Sequence, residues 1–440
     1  MVKVITYGTY DVLHYGHIRL LERAKALGDY LVVGITSDDY DKSRGKINNQ
    51  QSLVERIQNV KNTGLADEIV IEEYEGQKID DIKRLGIDIF TVGSDWEGKF
   101  DYLNEYCKVI YLPRTVGISS TEVRAQNRKV RLGIVGKTWY RDKIINETHF
   151  VNGIEITGLF SRREKDSPVG KNSFFQTSNY EELLEKVDAV YILSEPHNHF
   201  TDINHALEAG KHVLCESPIA FSEKECNELY DLAEKKHLVL MDVIKTAYST
   251  AFERLILLAK SGKIGEVISV DVTCTSQRNS PDISEGIIRG SLTTWGPYAL
   301  LPIFRLFGTN YKSISFASKK KSNCDVFTKT VLVFPHAVAS MQVANGAKAE
   351  GELIISGSSG YIYVPAPWWK TDYFEIRYED QEKNKKFFYQ LDGEGIRNEF
   401  VTFAKIIENH NIVGNISKDL SLGIVKVIEG FYKGNHLTEL

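Results

Sequence analysis

The sequence predicts an α/β protein: two doubly wound parallel-sheet units in tandem, the second followed by an α+β region with a large, mostly antiparallel sheet. Three observations predict it. Apolar, β-branched runs alternate with amphipathic helical stretches from Val2 to Leu112. A second strand start, Val130-Arg-Leu-Gly-Ile-Val-Gly136, recurs about 130 residues after the first. Beyond about residue 265 the pattern changes to long alternating segments without intervening helices.

In the first unit the expected strands are Val2–Tyr7, Tyr30–Thr36, Glu68–Ile71, Ile87–Val92 and Val109–Leu112. Helices are expected at 17–27, 52–63, 77–84 and between the last two strands. A basic polar stretch, Arg124 to Lys129, leads into the second unit, whose strands are expected at Val130–Gly136, Gly153–Phe160, Ala189–Leu193 and Lys211–Glu216. The large sheet draws on Val267–Ser276, Ser313–Ser318, Thr328–Phe334, Ala339–Val343, Gly351–Ser356, Tyr361–Val364 and Tyr373–Tyr378, with helices at 394–408 and 417–431. Domain boundaries follow at 1–127, 129–245 and 246–440.

Composition is that of an ordinary globular chain: 440 residues, 42% hydrophobic, 26% charged. A net charge of -5 gives no electrostatic case for nucleic acid or a membrane surface. The five cysteines contain no C-x-x-C pair, which points to reduced thiols, a cytoplasmic location and no zinc framework. No apolar run reaches membrane-spanning length, and neither a signal peptide nor an anchor is expected.

The most informative motif is His14-Tyr15-Gly16-His17, at the turn from the first strand into the first helix. Spacing of three sets both imidazoles on one side of the turn. Gly16 lets a phosphate approach the backbone, and the helix start offers N–H groups and a positive dipole end. Gly8, Thr9 and Asp11 lie in the same turn. Taken alone, four such residues would be surface histidines at a helix cap. Lys46, in the polar loop Lys42-Ser-Arg-Gly-Lys46, and Arg56, on a helix, would by themselves be solvated charges. Gly93-Ser-Asp95-Trp96 follows a strand, so it lies at a carboxyl end, where ligands bind in such sheets. Arg114 to Thr121 combines a fixed charge, hydroxyls and a helix start, which fits either an N-cap or an anion site.

With these residues the first 127 positions resemble the HxGH nucleotidyltransferase superfamily, and within it the glycerol-3-phosphate cytidylyltransferases. The resemblance implies a Rossmann-like domain that binds CTP and an acceptor phosphate. Gly8, Thr9, Asp11, His14, Gly16, His17, Asp38, Lys46, Arg56, Asp95, Trp96, Arg114, Thr115, Ile118, Ser119 and Thr121 match the family residue for residue. Tyr10, Tyr15, Arg44 and Ser120 depart from it conservatively. The resemblance implies His14, His17, Lys46 and Arg114 as catalytic residues. It implies nucleotide contacts from Gly8, Thr9, Asp11, Gly16, Asp95, Trp96, Thr115, Ile118, Ser119, Ser120 and Thr121. Asp38, Arg44 and Arg56 would bind the acceptor or the triphosphate. Mg²⁺ would arrive with CTP, without a dedicated protein site.

The second unit opens on Gly136, but the later glycines of G-x-G-x-x-G fall on Thr138 and Arg141. Arg162 and Arg163 end the next strand where an NAD-binding unit would have an acidic residue, so any dinucleotide would be NADP; otherwise they form a basic surface loop. His199, Ala206–Pro218, Ser261–Glu266 and Trp295-Gly-Pro-Tyr298 resemble the Gfo/Idh/MocA oxidoreductase family. That family implies NADP or NAD and a lysine between Glu216 and Pro218, where this chain has Ser217. Thr294 takes a position often held by aspartate, and Tyr298 one that can hold a catalytic His or Tyr. Lys245 is a candidate replacement cation, or an ordinary strand-end lysine. The expected whole is a cytidylyltransferase acting on a polyol phosphate, with no nucleic acid or membrane partner and as a homo-oligomer. Its second half is then either a working oxidoreductase or a non-catalytic binding or oligomerisation domain.

Overall fold

The computed structural model describes residues 1–11, 13, 15–43, 49, 51–74, 76–113, 130–136, 141–151, 153–162, 174–277, 290–321, 324–389, 391–408 and 414–440; at Tyr15, Lys42, Ser43 and Asp392 it describes the backbone. The chain divides into two compact units, Met1–Lys129 with Phe150–Gly153, and Val130–His149 with Ile154–Leu440.

The first unit is a five-stranded sheet of β1 (Lys3–Gly8), β2 (Tyr30–Thr36), β3 (Glu68–Glu72), β4 (Ile89–Gly93) and β5 (Lys108–Leu112), ordered β3-β2-β1-β4-β5 and parallel throughout. Successive side chains of a strand face opposite ways. Val4, Leu31, Val33 and Ile35 therefore enter one core with Leu21 and Val60, while Ile5, Tyr7, Val32 and Phe90 enter the other with Ile82 and Leu103. Helices α1 (Tyr15–Lys25), α3 (Leu53–Asn62) and α4 (Gln77–Leu85) supply those layers, and Ser52 with Glu55 closes a capping box at the start of α3. A short helix α2 (Asp38–Ser43) stands where no element was expected, its polar sequence DDYDKS giving no apolar period. The helix expected before β5 is instead two 3-10 turns, Ser94–Trp96 and Asp101–Glu105.

In the second unit β6 (Val130–Val135), β7 (Ile154–Phe160), β8 (Phe175–Thr177), β9 (Ala189–Ile192), β10 (His212–Glu216) and β11 (Leu240–Val243) form a parallel sheet ordered β11-β10-β9-β6-β7-β8. Helices α5 (Arg141–Thr148), α6 (Tyr180–Lys186), α7 (Pro196–Glu208) and α8 (Glu223–Lys235) connect its strands. A 3-10 turn at Lys245–Tyr248 and helix α9 (Thr250–Lys260), capped by Ser249, lead into the last region. Its nine-stranded sheet is β12 (Val267–Thr275), β13 (Ser313–Lys321), β14 (Cys324–Val333), β15 (Val338–Ala344), β16 (Leu353–Gly357), β17 (Tyr361–Val364), β18 (Tyr373–Arg377), β19 (Lys385–Phe388) and β20 (Leu437–Glu439). This sheet is mixed: β12 pairs β15, and β13 pairs β20, in parallel, while the other pairings are antiparallel. Helix α10 (Ser291–Phe307) packs on β12, β14 and β15, and α11 (Ile396–Glu408) and α12 (Lys418–Tyr432) complete the unit.

Candidate functional sites

In each parallel sheet the strand order reverses beside the first strand, between β1 and β4 in one and between β6 and β9 in the other. The crevice outside the carboxyl ends of those strands is where a ligand is received.

In the first unit, Gly8 ends β1 and Thr9, Tyr10 and Asp11 make the turn into α1, whose first residues include Gly16 and His17. Tyr10 adopts a left-handed backbone, φ 52°, that turns its buried ring edge-on against the His17 imidazole at 5.4 Å. A side chain at Gly8 would meet the Tyr10 ring at 3.0 Å, so the turn folds back tightly over the strand end. Asp11 is buried and accepts from the Gln51 backbone N–H at 2.9 Å, fixing the turn to the segment before α3. β1 pairs β4 through Thr6 and Thr91, so the turn lies beside the end of β4, where Asp95 and Trp96 occupy the 3-10 turn and Trp96 is 36% exposed.

Arg56 departs from the expectation of a ligand-facing cation. It is fully buried. Its Nη1 donates to the carbonyl oxygens of Thr9 at 2.7 Å and Thr36 at 2.9 Å, and its Nη2 to Asp38 Oδ1 at 2.5 Å. Asp41, also buried, lies 3.8 Å from Nη1 and accepts from Thr9 Oγ1 at 3.2 Å. The guanidinium thus ties together the ends of β1 and β2 and the start of α2, a bracing geometry suited to its planar fork. His14, Arg44, Lys46, Arg114, Thr115, Ile118, Ser119, Ser120 and Thr121 lie outside the described residues, as does Thr138 of the second unit.

In the second unit Gly136 follows β6 at φ 91°, and a side chain there would meet the Ser194 backbone at 2.6 Å. Only glycine fits that turn. Arg162, after β7, packs over the Phe160 ring and is paired with buried Asp202. His199 is buried with both ring nitrogens on carbonyls, Nδ1 at 2.9 Å from Pro218 and Nε2 at 2.8 Å from Ser194. Burial pushes its pKa down. It ties α7 to the 216–218 turn and braces the site from behind.

Glu216 ends β10, and its register partner on β11 is Val243, so Lys245 stands just beyond the neighbouring strand end. Burial pushes the Glu216 carboxyl up to about 7, against the pull of Lys245. Tyr298, on α10, feels Glu216 and Glu399, and burial raises its phenol. Glu399, missed by the sequence reading, is fully buried on α11 and accepts from Tyr191 Oη at 3.0 Å. Burial pushes its carboxyl up to about 8. The arrangement can hold and exchange protons near neutral pH. No local spacing announces Glu399, because its partners come from β9, β10 and the 3-10 turn after β11.

Comparison with known proteins accounts for both halves. Residues 5–126 match the cytidylyltransferase-like family model, and residues 130–243 match that of the oxidoreductase family with an NAD-binding Rossmann fold. A glycerol-3-phosphate cytidylyltransferase of Bacillus spizizenii is 51% identical over 124 residues, which is 28% of this chain and 95% of the relative. One from Staphylococcus aureus is 44% identical over 29% of this chain and 95% of its own length. The scyllo-inositol 2-dehydrogenase (NADP(+)) of Bacillus subtilis is 25% identical over 68% of this chain and 95% of that protein. A solved 3-ketoreductase of Actinomadura kijaniata has the second unit's fold, at TM-score 0.62 and 19% identity, over 71% of this chain and all of that one. Through its first unit the chain belongs to the cytidylyltransferase-like family, and it carries behind that unit a domain of the Gfo/Idh/MocA oxidoreductase family.

Proposed function

We propose that the first unit is a CTP:polyol-phosphate cytidylyltransferase with sn-glycerol 3-phosphate as its leading acceptor. The 51% identity to a glycerol-3-phosphate cytidylyltransferase along 95% of that protein carries the reading. An acceptor phosphate oxygen attacks the α-phosphorus of CTP in line, the bond to the bridging oxygen breaks, and pyrophosphate leaves. A phosphate dianion is already nucleophilic, so catalysis is positioning and charge stabilisation. In this assignment His14 and His17 hold the α-phosphate oxygens, and Lys46 and Arg114 hold phosphate charge. Gly8, Thr9, Asp11, Gly16, Asp95, Trp96, Thr115, Ile118, Ser119, Ser120 and Thr121 are assigned to the nucleotide, Asp38 and Arg44 to the acceptor or the triphosphate, and Arg56 to positioning the turn. Mg²⁺ comes with the triphosphate; among the described residues no three acidic, His or Cys side chains gather to hold a metal. The test is pyrophosphate release from CTP across a panel of polyol phosphates. Glycerol 3-phosphate is expected to lead, and His17→Ala to lower its turnover by about 10²–10³-fold. Activity of that variant within tenfold of the parent would refute the site.

A second activity, NADP-dependent oxidation or reduction of the polyol phosphate, is favoured by the likeness to an NADP(+) dehydrogenase over nearly its whole length. The residues present fit the cofactor at the turn after β6, where Gly136 admits no side chain, and Arg162, two residues beyond β7, stands where a 2′-phosphate would be met, its guanidinium shared with Asp202. A bound nicotinamide supplies or accepts the hydride. Tyr298 and Glu216 are then the residues that hold or move the substrate proton, with Lys245 the cation beside them. The 440-residue chain should bind NADPH more tightly than NADH; binding of neither would leave the non-catalytic reading of this half. We assign domain boundaries at 1–127, 129–245 and 246–440, a cytoplasmic location and a homo-oligomer, which light scattering would test. No helix among the described residues is long and apolar enough to cross a membrane.

A further inference from the structure

Three ammonium groups of the second unit converge on one carboxylate. Lys143, in the first turn of α5, and Lys370, in the 3-10 turn Trp368–Lys370, both reach Glu394 Oε1, at 2.7 Å and 2.8 Å. Lys245 reaches Oε2 at 3.4 Å. Burial alone would push the Glu394 carboxyl up, but the hydrogen bonds from Lys143 and Lys370 and the charge of Lys245 hold it at about 2. Three cations drawn this close repel one another, and one carboxylate offsets only part of that. The adjacent arginine adds nothing, because Arg397 is paired with Glu147 at 2.5 Å. Glu216 and Glu399 also face Lys245, but burial pushes both carboxyls toward their neutral forms.

The segment that delivers Glu394 is built for that task. Glu394 itself is left-handed, φ 53°, between Gly393 at φ 66° and Gly395 at φ 90°. A side chain at Gly395 would meet the Lys245 carbonyl at 2.2 Å, and one at Gly393 would meet Glu147 Oε2 at 2.7 Å. A non-glycine residue in that region costs about 1–3 kcal/mol and is kept where the surroundings impose it. The four side chains also come from two layers. Lys143 and Lys245 follow strands of the parallel sheet, and Lys370 and Glu394 belong to the region beyond it. The cluster therefore spans the carboxyl edge of the sheet, drawing on the segments after β6 and β11, and its covering layer.

We propose that Lys143, Lys245 and Lys370 form an anion site for the phosphate of a small phosphomonoester substrate, and that Glu394 is a built-in carboxylate that such a phosphate displaces. The proposal deepens the reading of the second unit as acting on a polyol phosphate. A tetrahedral dianion takes several ammonium donors at once, where a carboxylate carries a single charge.

The test is calorimetric titration of the full chain with inorganic phosphate and with glycerol 3-phosphate. Glu394→Gln should bind glycerol 3-phosphate at a site at least tenfold tighter than the same site in the parent, and adding Lys143→Gln and Lys370→Gln should abolish that site. A Kd within twofold of the parent in Glu394→Gln, or a site that survives loss of both lysines, would overturn the proposal. Should Glu394→Gln not fold, Lys370→Gln alone, at a half-exposed position, is expected to weaken phosphate binding about fivefold; no change overturns it equally. A cofactor phosphate is the competing source. If the lysine substitutions weaken NADPH and leave glycerol 3-phosphate unaffected, the substrate assignment fails. The first unit's own acceptor site is untouched by these changes. A loss of cytidylyl transfer in His17→Ala therefore leaves the lysine-dependent binding in place, and the two readings can fail separately.

Discussion

The two parallel sheets reverse their strand order at equivalent points, yet the charges around those points are managed in opposite ways. In the first unit a buried arginine is consumed within the protein. Arg56 spends its hydrogen bonds on Thr9, Thr36 and Asp38, so the turn carrying His17 rests on an internal scaffold. In the second unit three lysines crowd one carboxylate, and the residues behind the 216–218 turn are braced instead by a histidine between two carbonyls. Shared topology fixes where a ligand is received. The side chains at the strand ends decide whether the charge there is already satisfied or still in surplus.

Substitutions at the two scaffolds test that contrast. The largest effect is expected from Arg56→Met, which strands Asp41 in the core without its cation; loss of about 3–5 kcal/mol should appear in urea unfolding of the first unit. A loss under 1 kcal/mol would show that the guanidinium is not a brace. Gly136→Ala should come next. It forces a side chain into a left-handed turn against Ser194, and should lower the second unit's melting transition by the equivalent of about 1–3 kcal/mol and weaken NADPH binding with it. An unchanged melt would argue that the turn relaxes freely. The smallest effect concerns pH. Glu399 is pushed up to about 8 and Glu216 to about 7 from an ordinary 4.5, so the folded unit holds protons that the unfolded chain releases. Their contribution is present at low pH and is lost as pH rises through 7 to 8. The transition lowered by Gly136→Ala should therefore melt earlier at pH 8 than at pH 6, and Glu399→Gln should flatten that dependence. A flat profile between pH 6 and pH 8 would place both carboxylates as ionised groups.

The fold was largely legible because its signals are local. Alternation placed β1, β2, β6, β12 and β17 within a residue or two, since strands buried on one or both faces must be apolar at fixed intervals. Short elements were not legible. β8 has three residues and α2 has no apolar face, so neither leaves a period to read. At the sites, legibility followed sequence distance. The turn from Gly8 to His17 is one continuous segment, and it stood out. Arg56 was read as a ligand-facing charge because nothing near it in the chain announces that Thr9 and Thr36 would present carbonyls to it. Lys143, Lys370, Glu394 and Glu399 were invisible for the same reason: their grouping is made only by the fold.

The Glu394 loop has a kinetic and regulatory consequence. A competitor built into the chain it inhibits is present at a fixed effective concentration that does not change with dilution. A phosphate ester must outcompete that fixed internal concentration before the second unit responds to it. The ligand's apparent dissociation constant is then raised by a fixed factor, so the unit engages at a higher ligand pool along an ordinary saturation curve, and that factor is written into four residues, Asp392 to Gly395.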